Sequence, residues 1–505
     1  MPNLLYDALL GNLRAADAPC LRLPDSTIWT YGELKTRTER LAGALRSLGL
    51  QPGERIAARL AKSPEGLALY LACLRAGLVF LPINPALTHG ELEHVLRDAA
   101  PALLLCEAEE LAPLAGLAAQ YGAQLLALCG GDGLMRMAEN AGPLTKAAHG
   151  DAQTLAAILY TSGTTGRPKG VMLSHQNLLC NARALSDAWQ FTHDDVLLHG
   201  LPVFHTHGLF VAGNVVLLAG ASMLYQPRFE TAEFIRLMPR ATTMMGVPTF
   251  YTRLLAHHAF DADVARNMRL FISGSAPLLA STHTAFQARC GHRILERYGM
   301  TETGMITSNP YHGARRAGTV GRALDGVKLR IAEPDTGAAL APGEIGVVEL
   351  SGPNVFAGYR NMPDKTAAEF RDDGYFITGD LGCLDEDGYL TIVGRARDLI
   401  ISGGENIYPK EVESEIDRID GVAESAVFGV AHPDLGEATC AAVVPKPGVT
   451  LQPGNILQAL DGVLARFKQP RHVVFLAELP RNSMSKVQKN LLRETCADVF
   501  KPTPG

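Results

Sequence analysis

The run Tyr160-Thr161-Ser162-Gly163-Thr164-Thr165-Gly166-Arg167-Pro168-Lys169-Gly170 carries the densest chemistry in the chain. Its glycines let backbone N–H groups converge on an anion, Thr161, Ser162, Thr164 and Thr165 add hydroxyl donors, and Lys169 adds positive charge. Phosphate binding is the chemistry such a set can do. The apolar, β-branched run Leu155–Leu159 just before it predicts a strand that delivers the loop. It is not the G-x-x-x-x-G-K-[ST] nucleotide loop: Gly163 and Lys169 do not give that spacing, and Pro168 would interrupt the helix such a loop caps. On residues alone the alternative is a flexible surface loop, which the cations among so many glycines and hydroxyls disfavour.

Four further stretches follow in order: Tyr298-Gly299-Met300-Thr301-Glu302, Tyr375-Phe376-Ile377-Thr378-Gly379-Asp380, Gly394-Arg395-Ala396-Arg397-Asp398 and Pro480-Arg481-Asn482-Ser483-Met484-Ser485-Lys486. With the Tyr160–Gly170 loop they resemble the adenylate-forming superfamily of acyl-CoA synthetases, peptide-synthetase adenylation domains and firefly-type luciferases. Five co-linear motifs over nearly the whole chain are far more specific than any one alone.

The resemblance implies an enzyme that joins a carboxylate to the α-phosphate of ATP, displaces pyrophosphate and passes the acyl group to a thiol. Two anions must meet, so cations and fixed donors should dominate the site. By resemblance, Glu302 would hold Mg²⁺ and Thr301 a phosphate oxygen. Gly274-Ser275-Ala276-Pro277, Glu296, Arg297, Tyr298 and Gly299 would enclose adenine, with the Tyr298 ring stacked on the base. Asp380 would accept both ribose hydroxyls and Arg395 would meet ribose or phosphate. Lys486 would bridge carboxylate and α-phosphate; the family usually has glycine where Ser485 stands here. Arg397 matches the hinge, and Gly403-Gly404 the approach of the pantetheine thiol. Lys486 is also the candidate target of a regulatory lysine acetyltransferase. Read alone, Thr301-Glu302 is more often a helix cap, Asp380 and Arg395 a surface ion pair, and Lys486 with Lys489 a pair of solvated charges.

Arg297 is the clue to the acid. An arginine buried beside the acyl pocket needs an anionic partner, and a second carboxylate on the substrate supplies one. Glu296–Glu302 together with Phe204-His205-Thr206-His207-Gly208 resembles malonyl-CoA synthetases, which implies malonate, with methylmalonate as a second acid. His207 would add a donor, Met300 would line the pocket, and Ser275 and Arg269 are weaker candidates. The alternatives are an internal partner for Arg297, core roles for His205 and His207, and a short- or medium-chain acyl-CoA synthetase with an apolar tunnel. The Phe204-His205 pair lacks the aspartate that amino-acid-activating domains place there. No carrier-protein serine motif follows Lys486, so coenzyme A is the expected acceptor, with a separate carrier protein as the alternative.

The elements that must position these residues follow an α/β rhythm. Strand-like runs Arg55–Leu60, Val79–Ile83, Thr154–Tyr160 and Ala221–Tyr225 alternate with helical patterns at Tyr31–Leu48 and Pro64–Ala76. From Val327 onward short strands with turns predict a small antiparallel or barrel-like sheet. Beyond Gly394 comes an α+β pattern: a helix from Pro409, strands at Glu424–Val430 and Thr439–Val444, and helices near Ile456–Phe467 and Val487–Val499. The expectation is thus α/β: residues 1–394 as a large N-terminal domain of two α/β subdomains plus a β-barrel-like part, a hinge at 395–398, and a small mobile α+β domain over 399–505.

At 505 residues with 50 glycines and 47% hydrophobic side chains the chain exceeds what one core holds. A net charge of -6 without long like-charge runs excludes a nucleic-acid or anionic-membrane surface. Nine cysteines scattered without C-x-x-C pairs point to reduced thiols and a cytoplasmic setting. Neither a targeting segment nor a membrane span is expected; Gly208–Tyr225 reads as a buried helix running into a strand.

Overall fold

The computed structural model describes residues 2–11, 15–161, 168–403, 405–481 and 486–500. The chain divides into two compact units, one of 1–328 with 350–376 and the other of 329–349 with 377–505. It is mixed α/β, with a large N-terminal and a small C-terminal part.

The first unit holds two sheets. The larger runs in the order Arg322–Ala323, Gly304–Ser308, Leu295–Met300, Leu270–Ser273, Thr243–Gly246, Val196–His199, Ser222–Tyr225, Pro19–Arg22, Ile28–Thr30. Its six central strands, Leu295–Met300 through Pro19–Arg22, are parallel. From Val196–His199 the chain crosses first to one neighbour, Ser222–Tyr225, and then to the other, Thr243–Gly246. Such a reversal opens a crevice outside the carboxyl ends of the strands, where α/β sheets bind ligands. The second sheet orders Gly358–Tyr359, Lys169–Ser174, Leu155–Thr161, Val79–Ile83, Arg55–Arg59, Leu103–Cys106 and Gln124–Ala127.

Local sequence explains the helices that cover them. Thr30 accepts the Glu33 N–H while Glu33 reaches back to the Thr30 N–H, and this capping box starts Tyr31–Ser47. Ser63 caps Pro64–Ala76, proline occupies its first turn, and Gly77 ends it at φ +72°. That helix is largely apolar, and Leu67 through Ala76 are buried, Arg75 among them by pairing with Glu39 and the Leu144 carbonyl. The run expected as a buried helix entering a strand becomes a π-helical turn His207–Gly213, a helix Asn214–Ala219 and the strand Ser222–Tyr225. No described helix is long and apolar enough to cross a membrane.

The second unit carries a four-stranded sheet in the order Lys328–Ala332, Gly346–Ser351, Phe376–Leu384, Leu390–Arg395. Among the described residues its outer strands do not pair with each other, so it is open where a barrel-like closure was expected. With four short strands the edges do not curl far enough to meet. The C-terminal sheet joins Glu405–Ile407, Ile400–Ser402, Gly436–Pro445 and Val422–His432, with His472–Phe475 parallel to Gly436–Pro445. Apolar side chains pack on both its faces, Val412, Ile416 and Ile456 on one, Phe428, Leu479 and Leu492 on the other. Two helices are shorter than expected. Pro453–Leu460 stops before Gly462, which lies at φ +75°, and Lys489–Thr495 begins late because Val487 bridges to Arg481.

Candidate active site

The strand Leu155–Thr161 returns antiparallel as Lys169–Ser174, with Thr161 opposite Lys169. The phosphate-binding candidates Ser162, Gly163, Thr164 and Thr165 lie outside the described residues. Thr161 is half-buried at the outgoing edge. Lys169 is 7% exposed; its Nζ lies 3.8 Å from Glu369 Oε1 and 4.9 Å over the Tyr359 ring.

Thr301 and Glu302 do not cap a helix. They form the turn between Leu295–Met300 and the antiparallel strand Gly304–Ser308. Asn181 locks that turn: its Nδ2 donates to Met305 O at 2.8 Å and its Oδ1 accepts Met305 N–H at 3.0 Å. Gly304, at φ +57°, has no room for a Cβ, which would sit 2.6 Å from Asn181 Oδ1. Behind Glu302, Phe356 N–H donates to its carbonyl at 2.7 Å and Asn354 Nδ2 to Thr303 O at 2.9 Å. The Glu302 carboxylate is buried, with Oε1 3.1 Å from the Tyr359 hydroxyl. The same hydroxyl lies 2.5 Å from Glu369 Oε2, and Glu369 Oε1 is 2.7 Å from Lys365 Nζ. Burial and the two carboxylates hold the Tyr359 phenol well above its ordinary pKa. Tyr359 and Glu369 escaped the sequence reading, because their contacts with Glu302 and Lys169 join distant stretches of the chain that only the fold brings together.

A second cluster forms where Leu270–Ser273 and Leu295–Met300 end. Gly274 leaves space for the Arg297 guanidinium, whose Cζ would be 2.5 Å from a Cβ at that position. Ser275 follows at φ +71°, a strained conformation for a side chain other than glycine. Its Oγ is 3.2 Å from His207 Nδ1. Arg297 is 3% exposed and His207 6%. Among the described residues Arg297 Nε and Nη2 and His207 Nε2 are buried without a hydrogen-bond partner. Burial pulls the Arg297 pKa down to about 9, against the opposing pull of Tyr251. Burial, and then the nearby Arg297 charge, hold His207 well below the usual imidazole range, so it is neutral at pH 7. Met300 and Tyr298 are half-buried beside this cluster, and Glu296 Oε1 accepts the Leu278 N–H at 3.2 Å. Arg269, the weaker candidate, is committed elsewhere. It makes two 2.7 Å contacts with Asp195, a carboxylate that also accepts the Thr242 hydroxyl at 2.7 Å.

In the second unit Asp380 is 3% exposed and pairs with Arg395, Oδ1 to Nε at 2.7 Å, across the register of their two strands. Thr378 Oγ1 accepts the Asp380 N–H at 3.0 Å. Asp380 is therefore buried while the Arg395 side chain stays partly exposed, so the pair lies at the edge of the structure and not on its open surface. Arg397 is exposed on the short turn Ala396–Asp398, and Gly403 is fixed by its N–H to Leu435 O at 2.9 Å. Gly404 and Ser485 lie outside the described residues. Lys486 is exposed, and Lys489 pairs with Glu413 at 2.6 Å.

Comparison with known proteins bears on the whole chain. The family model for AMP-binding enzymes matches residues 12–360, and that for their C-terminal domain matches 411–486. The crystal structure of ATP-bound MatB from Rhodopseudomonas palustris superposes with a TM-score of 0.97 at 52% identity, covering 99% of this chain and 100% of that one. A feruloyl-CoA synthase from Amycolatopsis sp is 36% identical over 92% of this chain and 94% of its own length. A malonate–CoA ligase from Arabidopsis thaliana is 34% identical over 94% and 82% respectively. The chain belongs to the AMP-binding enzyme family and is an AMP-forming acyl-CoA ligase of the adenylate-forming superfamily.

Proposed function

We propose that the chain ligates malonate, with methylmalonate as a second acid, to coenzyme A through an acyl-adenylate, consuming ATP and releasing AMP and pyrophosphate. One observation carries the choice of acid: Arg297, buried beside Gly274, keeps two guanidinium N–H groups without a partner among the described residues. A cation buried this way costs several kcal/mol unless an anion meets it. The second carboxylate of malonate does so, with Arg297 as its clamp and neutral His207 and Ser275 as neighbouring donors. The likeness to a malonate–CoA ligase supports this reading, while the likeness to a feruloyl-CoA synthase shows that the scaffold serves other acids.

The reacting carboxylate then faces the phosphate side. Lys169 and the hydroxyls of Thr161–Thr165 grip the outgoing phosphates, and Thr301 holds a phosphate oxygen. Glu302, a buried hard-oxygen donor next to a phenol, fits Mg²⁺ and would hold it, and the ion would neutralise phosphate charge there. Gly274–Pro277, Glu296, Tyr298 and Gly299 enclose adenine, and Asp380 with Arg395 takes the ribose. Lys486 supplies the charge that lets carboxylate and α-phosphate approach. Residues 395–398, with exposed Arg397, form the hinge of the C-terminal domain, and Gly403 and Gly404 leave room for the coenzyme A thiol.

Malonate, methylmalonate, acetate and octanoate, compared in a coenzyme-A-dependent AMP-release assay, test the reading. Malonate leads in kcat/KM if it holds; a preference for octanoate contradicts it.

A further inference from the structure

Lys169 is buried at 7% exposure, yet among the described residues its ammonium makes one ion pair, at 3.8 Å to Glu369. Glu369 is held from three directions. Its Oε2 accepts the Tyr359 phenol proton at 2.5 Å, while its Oε1 faces Lys365 Nζ at 2.7 Å and Lys169 Nζ at 3.8 Å. The frame around this carboxylate is backbone-built. Gly358–Tyr359 pairs antiparallel with Val171–Met172, Arg360 N–H donates to Gly170 O at 2.8 Å, and Tyr359 N–H donates to Thr366 Oγ1 at 2.9 Å. The phenol ring underlies Lys169 at 4.9 Å, so it and Glu369 fix the cation from two sides.

A 3.8 Å pair, shared with a second lysine that sits closer, is a weak hold on a buried charge. A polyphosphate carries several times the charge of one carboxylate and outcompetes it. We propose that Glu369 is a displaceable counter-ion for Lys169: it stabilises and positions the ammonium and yields it to the phosphates of ATP, with Tyr359 keeping the carboxylate in place. Glu369 is thus a positioning residue whose charge opposes nucleotide binding, and Lys365 moderates that opposition by occupying the same oxygen. The inference rests on the reading of Lys169 as a phosphate contact.

The test is equilibrium binding of ATP by calorimetry with the full-length chain, together with acid-dependent ATP–pyrophosphate exchange. Glu369→Gln keeps an acceptor for the Tyr359 hydroxyl but removes the charge; it tightens ATP binding about threefold to fivefold, the scale of one partly exposed ion pair. Lys365→Met leaves Glu369 entirely to Lys169 and weakens ATP binding by a similar factor. A merely structural role for Glu369 predicts weaker binding in Glu369→Gln, and that result, or no change, overturns the proposal. Lys169→Met separates the two layers of argument. If it leaves ATP affinity unchanged, the phosphate reading of the loop fails and the proposal falls with it. If it weakens ATP while Glu369→Gln does not tighten it, the counter-ion proposal alone fails. Glu369→Asp, which restores the charge on a shorter arm, returns affinity toward the native value if charge is the cause.

Discussion

In the proposed reaction Arg297 selects the acid and Lys486 joins it to the nucleotide. Arg297 sits among neutral imidazole and hydroxyl neighbours, and among the described residues its Nε and Nη2 have no hydrogen-bond partner. Lys486 is exposed, as a residue must be that serves only when the substrates are in place. Lys486→Ala is expected to abolish acid-dependent ATP–pyrophosphate exchange while sparing thiol transfer from preformed acyl-adenylate. Exchange at the native rate would remove Lys486 from the adenylation step. Arg297 was legible in the sequence because it stands one residue before a motif whose place in the fold the resemblance fixes. His207 and Ser275 were legible only as candidates, and the 3.2 Å contact between them is a product of tertiary packing.

The elements that carry the site were mostly readable because each has a local cause. Val79–Ile83 and Pro64–Ala76 appear at the expected bounds, the first from β-branched and apolar patterning, the second from its serine cap, proline start and glycine stop. Longer-range features were not readable. Without its sequence context Thr301-Glu302 reads as a helix cap; in the structure it is a hairpin turn held by Asn181, about 120 residues earlier in the chain. Nothing local marks Asn181, which sits on an ordinary amphipathic helix, His175–Ala188. Asn181→Ala strips both the N–H and the carbonyl of Met305 of their side-chain partner, and is expected to cost about 2 kcal/mol of stability. The urea midpoint of the variant measures it; an unchanged midpoint would mean the hairpin holds itself. Likewise the small sheet after Val327 was expected to be barrel-like, since short strands and turn pairs are common to both arrangements, and only strand order separates an open sheet from a closed one.

At the scale of the whole molecule, burial of imidazoles couples folding to pH. Burial lowers the His175 pKa to about 4 from an ordinary 6.5, and His199, His207, His283 and His292 shift the same way. Below the ordinary value the unfolded chain takes up protons that the folded chain refuses, so stability falls as pH drops from about 6.5 toward 4. Each such group contributes up to about 1.4 kcal/mol per pH unit across its window. Urea unfolding at pH 7, 6 and 5 is expected to show that decline, and His175→Gln, which removes one such group, is expected to make it shallower. An unaltered slope would assign the pH dependence to other groups. His207, one of these buried rings, lies beside Ser275 in the Arg297 cluster, and in the proposed reading Arg297 is the charge there that a substrate meets. The account as a whole turns on that charge. The most direct measurement is the ratio of kcat/KM for malonate to that for acetate in the native chain and in Arg297→Met. The native ratio is expected to favour malonate strongly and to fall at least about a hundredfold in the variant, the loss of one buried charge-assisted clamp of about 3 kcal/mol. An unchanged ratio would contradict the assignment of Arg297 to the second carboxylate, and with it the choice of malonate.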